Sequence, residues 1–136
     1  MRRLWVFAAI ALAGCQMETA TCTQIPAVVG TWRYSAVEDT PVHATVSGTL
    51  TITSASCDAV VGSMDIVETS AAGGTQRLAG PVTGQVIDAR SFQFDAFVES
   101  NPWKHLASVA GDSLSGSWVS VSGTQAESGT FGGRRQ

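Results

Sequence analysis

Residues 45–53, Thr-Val-Ser-Gly-Thr-Leu-Thr-Ile-Thr, alternate strictly between two kinds of side chain. Val46, Gly48, Leu50 and Ile52 occupy every second position, whereas serine or threonine fills the positions between them. Successive side chains of an extended strand point to opposite faces, so this period of two predicts a strand with one buried face. The glycine falls on the apolar face, where it weakens a strand unless the sheet is tightly curved.

A five-residue pattern of this kind recurs along the chain, with glycine at its centre and a large apolar residue at its end. Six copies are present, and their central glycines are Gly30, Gly48, Gly62, Gly84, Gly116 and Gly129. The first, third and fifth positions share one face of a strand, so each copy places a glycine beside a bulky inner residue. Six such sites predict a strongly coiled sheet.

The alternation predicts eight strands in all, since two segments without the central glycine also have a period of two. The predicted spans are 28–37, 42–53, 59–68, 75–88 with a break near Gly80-Pro81, 90–99, 103–109, 113–121 and 126–134. Short turn-like joins between them favour neighbouring antiparallel strands. Such strands bury their apolar faces and lose their edges if the last pairs with the first. We therefore expect an all-β fold, an eight-stranded antiparallel up-and-down β-barrel.

The same parity predicts which side chains point into the barrel. An eight-stranded barrel is just wide enough to be filled by side chains or to hold one small ligand. Bulky inner residues favour a packed core and inner glycines favour a cavity, so both interpretations stay open. The predicted inner residues are Trp32, Tyr34, Leu50, Ile52, Met64, Ile66, Val86, Phe92, Phe94, Leu114, Trp118 and Phe131. The candidate ligand-binding set within them is Trp32, Tyr34, Leu50, Met64, Phe92, Phe94, Trp118 and Phe131.

Arg2 and Arg3 follow Met1, and after them come a nine-residue apolar run from Leu4 to Leu12 and then Ala13-Gly14-Cys15. A short apolar core after basic residues is typical of a secretory signal, and nine residues are too few to span a bilayer, which takes about 20. Residues 12–15 resemble the bacterial lipobox, which implies cleavage before Cys15 and acyl chains on Cys15. The predicted organisation is a helical signal peptide at 1–14, a lipidated N-terminus and linker at 15–27, and the barrel domain at 28–136.

The lipobox resemblance implies a lipid-anchored protein of the bacterial cell envelope. Gln16 directly after the modified cysteine resembles sorting to the outer membrane, with the domain facing the periplasm. Residues 16–21 reach at most about 20 Å when extended, so the barrel is expected close to the lipid headgroups.

Cys22 and Cys57 remain once Cys15 is assigned to lipid. An even pair of cysteines in an oxidising compartment predicts one disulfide, with two free thiols as the alternative. A nucleophilic Cys57 is not expected, because the neighbouring negative charge of Asp58 disfavours a thiolate.

Gly30-Thr31-Trp32 at the start of the first strand and Arg134-Arg135 at the end of the last resemble the calycin group of barrels, the lipocalins and avidins. In lipocalin-like proteins a basic residue near the end of the barrel packs across the first-strand tryptophan. The resemblance therefore implies that Arg134 or Arg135 lies over Trp32 and helps to close the barrel.

Charge and motifs argue against several functions. The net charge of −3 becomes −5 when Arg2 and Arg3 leave with the signal, which disfavours a nucleic-acid partner. No Gly-x-Ser-x-Gly, His-Glu-x-x-His or Cys-x-x-Cys motif occurs. We expect no enzyme, no metal and no cofactor. His43 and His105 are predicted at the surface or rim, and five carboxylates are predicted on the solvated outer face: Asp65, Glu68, Asp88, Asp95 and Glu99.

Three classes of function remain, in descending order. The first is a non-enzymatic envelope interaction or scaffold protein, including an inhibitor-like plug. The second is a lipocalin-like carrier of a small apolar ligand, and an enzyme is third. The expected partners are the membrane, through Cys15, and either an envelope protein or a small apolar ligand. Outer-face apolar side chains could form a partner surface: Val67, Phe97, Val119 and Val121.

Overall fold

The structure is a computed structural model that describes residues 22–122 and 124–136. The predicted signal segment 1–14, the lipidation site Cys15 and Gln16 lie outside the described residues. In the part of the chain that the structure describes, no helix is long and apolar enough to cross a membrane.

Eight antiparallel strands follow one another in chain order, and the last pairs with the first to close a barrel. This confirms the predicted fold. The strands are β1 (Gly30–Thr40), β2 (Ala44–Ala55), β3 (Val60–Ser70), β4 (Thr75–Asp88), β5 (Ser91–Ala96), β6 (Trp103–Ala110), β7 (Ser113–Ser122) and β8 (Gln125–Arg135).

Most strand ends differ from the predicted spans by one to three residues. β1 continues through Glu38 and Asp39, which were predicted as a turn, because both strands beside it, β2 and β8, pair with it there. β4 runs unbroken through Gly80-Pro81, where a break was predicted.

The pairing register places the inner-face residues of neighbouring strands opposite one another. Trp32 lies opposite Leu50, and Leu50 lies opposite Met64, so one layer of the core runs across β1, β2 and β3. None of the twelve predicted inner residues is more than 8% exposed. The alternation in the sequence therefore predicted the buried face of the barrel.

The inner glycines lie where neighbouring strands approach too closely for a side chain. A Cβ at Gly48, Gly62, Gly84, Gly116 or Gly129 would overlap a backbone carbonyl oxygen of an adjacent strand. At Gly129 that oxygen belongs to Val37. The recurring glycine thus permits the tight coiling that eight short strands need to close.

The barrel has two different ends. We call the end that carries residues 22–29 and the chain's last residues the tether end. The opposite end, with the β1–β2, β3–β4, β5–β6 and β7–β8 turns, is the mouth. Because adjacent strands are antiparallel, the turns alternate between these two ends.

Residues 22–29 close the tether end. Val28 is fully buried, and its carbonyl oxygen accepts a hydrogen bond from Trp32 Nε1 at 2.8 Å. A disulfide joins Cys22 to Cys57 in the β2–β3 turn, with the two Cα atoms 5.5 Å apart. The predicted disulfide is therefore present.

Arg135 also packs at the tether end. Its guanidinium carbon lies 4.3 Å from the centre of the Trp32 ring, and Nη1 donates to the carbonyl oxygen of Val29 at 2.8 Å. A second guanidinium nitrogen donates to the carbonyl oxygen of Ala27. Arg134 points to the outer wall, on the opposite face of β8.

Candidate functional site

Side chains fill the middle of the barrel. The Phe94 ring stacks on His105 at 4.2 Å between centroids, and Phe131 meets His105 edge-on at 5.0 Å. The eight residues of the candidate ligand-binding set all lie inside and are at most 5% exposed: Trp32, Tyr34, Leu50, Met64, Phe92, Phe94, Trp118 and Phe131. The middle of the barrel therefore has no room for a ligand unless these side chains move.

His105 is inside the barrel, so its predicted surface or rim position is wrong. It is 3% exposed and lies opposite the inner residues Phe94 and Trp118. Its Nε2 lies 2.9 Å from the Tyr34 hydroxyl, and its Nδ1 lies 2.8 Å from the carbonyl oxygen of Trp103. These hydrogen bonds pair each ring nitrogen in an otherwise apolar core.

Carboxylates surround the mouth. Glu38 of β1, Glu68 of β3 and Glu127 of β8 occupy inner-face positions of their strands. Glu38 is the most enclosed of them, with 7% exposure. Glu99, in the β5–β6 connection, accepts a hydrogen bond from Trp103 Nε1 at 3.0 Å. We call these four residues the mouth carboxylates.

The mouth carboxylates act on one another. Burial, followed by the charge of Glu127, raises the pKa of Glu38 above its ordinary value, and a backbone hydrogen bond from Val42 opposes the rise. Burial, followed by the charges of Glu99 and Glu127, raises the pKa of Glu68. Repulsion between like charges in a partly desolvated site therefore disfavours ionisation of both groups.

Two tryptophans lie beside these carboxylates. Trp103 and Trp118 stack with centroids 4.7 Å apart and planes inclined by 16°. Trp118 Nε1 is buried and has no hydrogen-bond partner in the described part of the chain. Gly129 is the cross-strand partner of both Trp118 and Glu38, so no side chain projects between them.

The ion pairs of the described residues leave the mouth carboxylates unneutralised. Arg77 pairs with Asp65 at 2.5 Å and Lys104 with Asp95 at 3.4 Å, both on the outer wall. The third pair, Arg135 with Asp112, is at the tether end. None of these three pairs includes a mouth carboxylate.

The two histidines are far apart in the fold. His43 is exposed in the β1–β2 turn at the mouth, whereas His105 is buried in the middle. Within residues 22–122 and 124–136, no three histidine, cysteine, aspartate or glutamate side chains are grouped so that they could hold a metal ion.

Sequence reasoning missed most of the mouth. Glu68 was predicted on the outer face and Glu38 in a turn, but both lie on the inner face. Glu127 occupies the first position of the sixth glycine pattern, which shares a face with Gly129 and Phe131. The parity that placed Phe131 inside therefore also indicated Glu127.

Neither a family model nor a curated protein sequence matches the chain. Solved structures with a similar fold include the following two. The structure of EF1p2_mFAP2b bound to DFHBI superposes with a TM-score of 0.63 at 14% identity, over 79% of this chain and 93% of that chain. A de novo designed fluorescence-activating β-barrel gives a TM-score of 0.57 at 17% identity, with the same coverage. These likenesses agree with the closed eight-stranded barrel and concern the fold alone.

Proposed function

We propose that this protein is a lipid-anchored β-barrel of the bacterial envelope that acts without catalysis, as a binding module whose contact site is the mouth. The anchor is proposed from the signal segment and the lipobox at Cys15. The described chain enters the barrel at the tether end, so acyl chains on Cys15 would leave the mouth facing away from the membrane. The barrel would thereby present its mouth carboxylates to other molecules of the envelope.

The observation that carries the binding role is the set of inward carboxylates, Glu38, Glu68 and Glu127, which form no ion pair among the described residues. Burying a carboxylate without a cation is unfavourable, and perturbed titratable groups in a concave site are typical of functional sites. A lysine or arginine side chain of a partner would neutralise Glu38 and Glu127 and relieve their mutual repulsion. We therefore take a basic segment of another envelope protein as the first candidate partner.

A second candidate is a small, largely apolar ligand at the mouth, above the tryptophan pair. Trp103 and Trp118 are buried, so a ligand would contact their rings, or accept a hydrogen bond from Trp118 Nε1, after side chains at the mouth move. The ligand would have to lie at the mouth, because side chains fill the barrel below. The barrel fold is shared with a protein whose structure contains bound DFHBI.

Charge-matched variants test the role of the mouth. Glu38→Gln with Glu127→Gln removes two inner carboxylates, and Asp65→Asn with Asp95→Asn removes two outer ones. Titration calorimetry with trilysine should give binding to the wild type and the outer variant, and about tenfold weaker binding to the mouth variant. Equal affinity of both variants would contradict the proposed site.

Native mass spectrometry of protein purified from its own envelope separates the two candidate partners. A bound protein that the mouth variant loses and the outer variant keeps supports the first. A co-purified small molecule with the same dependence supports the second. The anchor is tested independently, because Cys15→Ser should release the protein into the soluble fraction. A Cys15→Ser protein that stays in the membrane would contradict the lipid anchor.

A further inference from the structure

Two arginines face each other on the outer wall near the tether end. Arg33 of β1 and Arg134 of β8 are direct cross-strand partners, and both are exposed. Like charges placed opposite each other destabilise a sheet. Neither guanidinium takes part in an ion pair among the described residues. The pair is therefore a concentrated positive charge that the described part of the protein does not neutralise.

A hollow lies beside the two guanidinium groups. Gly132 of β8 is the cross-strand partner of Ser35 on one side and of Ser115 on the other, and it bears no side chain between them. The groove here has a volume of about 470 Å³, and its lining includes Arg33, Arg134 and three serines, Ser35, Ser47 and Ser113.

The fold itself does not require glycine at the floor of this hollow. A Cβ at Gly132 would have its nearest neighbour, the carbonyl oxygen of Leu114, at an ordinary contact distance of 3.6 Å. Gly116 and Gly129, in contrast, admit no Cβ without overlap with a backbone oxygen. Gly132 thus keeps open a space that packing would allow a side chain to fill.

We infer that the hollow between Arg33 and Arg134 binds a phosphate group. Guanidinium forks match the oxygens of phosphate, and serine hydroxyls can donate further hydrogen bonds to them. The source of the phosphate is a lipid headgroup, an assignment that rests on the proposed anchor at Cys15. Free phosphate has the same chemistry, and the experiment below separates the two sources.

The charge distribution of the barrel fits this orientation. The mouth carboxylates lie at the end opposite the hollow, so an anionic membrane would attract one end of the barrel and repel the other. The tether end carries four arginines against three aspartates, of which Asp112 is paired with Arg135; the arginines are Arg33, Arg90, Arg134 and Arg135, and the aspartates are Asp58, Asp88 and Asp112. A barrel held in this way would direct its mouth away from the lipid.

Arginine labelling with phenylglyoxal, measured residue by residue by mass spectrometry, tests the inference on the lipidated protein. Three conditions are compared: dodecyl maltoside micelles, the same micelles with inorganic phosphate, and phosphatidylglycerol vesicles. In the vesicles, labelling of Arg33 and Arg134 should fall about fivefold relative to micelles, while labelling of Arg77, near the mouth end of β4, changes much less. Protection by inorganic phosphate as well would show that free phosphate also binds, and protection by neither overturns the inference.

Gly132→Thr separates a phosphate site from simple shielding by the membrane. The variant keeps both arginines and fills the hollow, so it should lose the protection, whereas Ser117→Thr on the same outer wall should keep it. Protection that persists in Gly132→Thr overturns the inference. The mass of the N-terminal peptide reports acylation separately, and the inorganic phosphate arm tests the hollow even in unacylated protein.

Discussion

The hydroxyl of Tyr34 and Nε2 of His105 lie 2.9 Å apart in the middle of the barrel, and both residues are almost completely buried. His105 Nδ1 lies 2.8 Å from the carbonyl oxygen of Trp103, which can only accept a hydrogen bond. Nδ1 therefore carries a proton. Burial lowers the pKa of His105 to about 4, so the ring is neutral at neutral pH and Nε2 accepts the hydrogen bond from the Tyr34 hydroxyl.

Acid should destabilise the barrel through His105. In the unfolded chain the residue has its ordinary pKa of about 6.5, so the unfolded state binds more protons as the pH falls from 6.5 to 4. The stability lost between pH 7.5 and pH 4.5 through this group is about 2 to 3 kcal/mol. His105→Gln, which cannot titrate, should lose less stability over this range. Urea unfolding at the two pH values measures the difference.

Comparing His105→Gln with the wild type separates the effect of His105 on the pH dependence of stability from the effect of the mouth carboxylates. The pKa values of Glu38 and Glu68 are raised, so these groups act in the opposite direction and favour the folded state as the pH falls. They are present in both proteins, and their effect cancels. His43→Gln, which changes an exposed histidine in the β1–β2 turn, is the matched control variant. An equal loss of stability in His105→Gln and wild type would show that His105 does not control the acid response.

The sequence predicted the barrel because most inner positions are apolar and alternate through the glycines. The prediction failed where a polar side chain points into the barrel or an apolar side chain points to solvent. In β6, His105 points inward while Leu106 points outward and is 53% exposed, which inverts the usual pattern. Glu38 was assigned to a turn because a strand's end depends on its partners, and here β8 and β2 extend β1 beyond its apolar segment. The inner-face position of Glu38 at the mouth depends on this strand pairing, which cannot be inferred from the local sequence.

Glycine is expected to be essential at Gly129 and dispensable at Gly132. Gly129→Ala would force a methyl group against the carbonyl oxygen of Val37, so the strands β1 and β8 must separate. We expect a loss of about 3 kcal/mol or more, of the size seen for overpacked cores. Gly132→Ala should be neutral or stabilising by about 0.5 kcal/mol, since it restricts the unfolded chain without a clash. Urea unfolding of both variants, three residues apart in one strand, measures this contrast. Equal stability of the two would contradict the role of close strand approach.

The tether end should depend on Arg135 and not on Arg134. Arg135→Gln removes the cation over Trp32 and the hydrogen bond to Val29, for an expected loss of about 2 kcal/mol. Arg134→Gln removes an exposed guanidinium on the outer wall and should change stability by less than about 0.5 kcal/mol. Thermal unfolding of the two variants gives the comparison. A larger loss in Arg134→Gln would mean that the closure of the barrel depends on the outer wall.

We expect the ionised Glu38 carboxylate at the mouth to lower the stability of the folded protein. Because the pKa of Glu38 is raised, its ionised form destabilises the folded state at neutral pH, and this effect disappears as the pH falls through the raised pKa. Glu38→Gln keeps an oxygen for the Val42 hydrogen bond and removes the charge, so its melting temperature at pH 7.5 should rise by about 4 °C. The gain should shrink at pH 4.5, where the wild-type carboxyl is more protonated. Asp65→Asn, which loses an exposed pair with Arg77, should show no gain at either pH. A lower melting temperature of Glu38→Gln at pH 7.5 would mean that the carboxylate stabilises the fold. That outcome would contradict the assignment of Glu38 to a binding site.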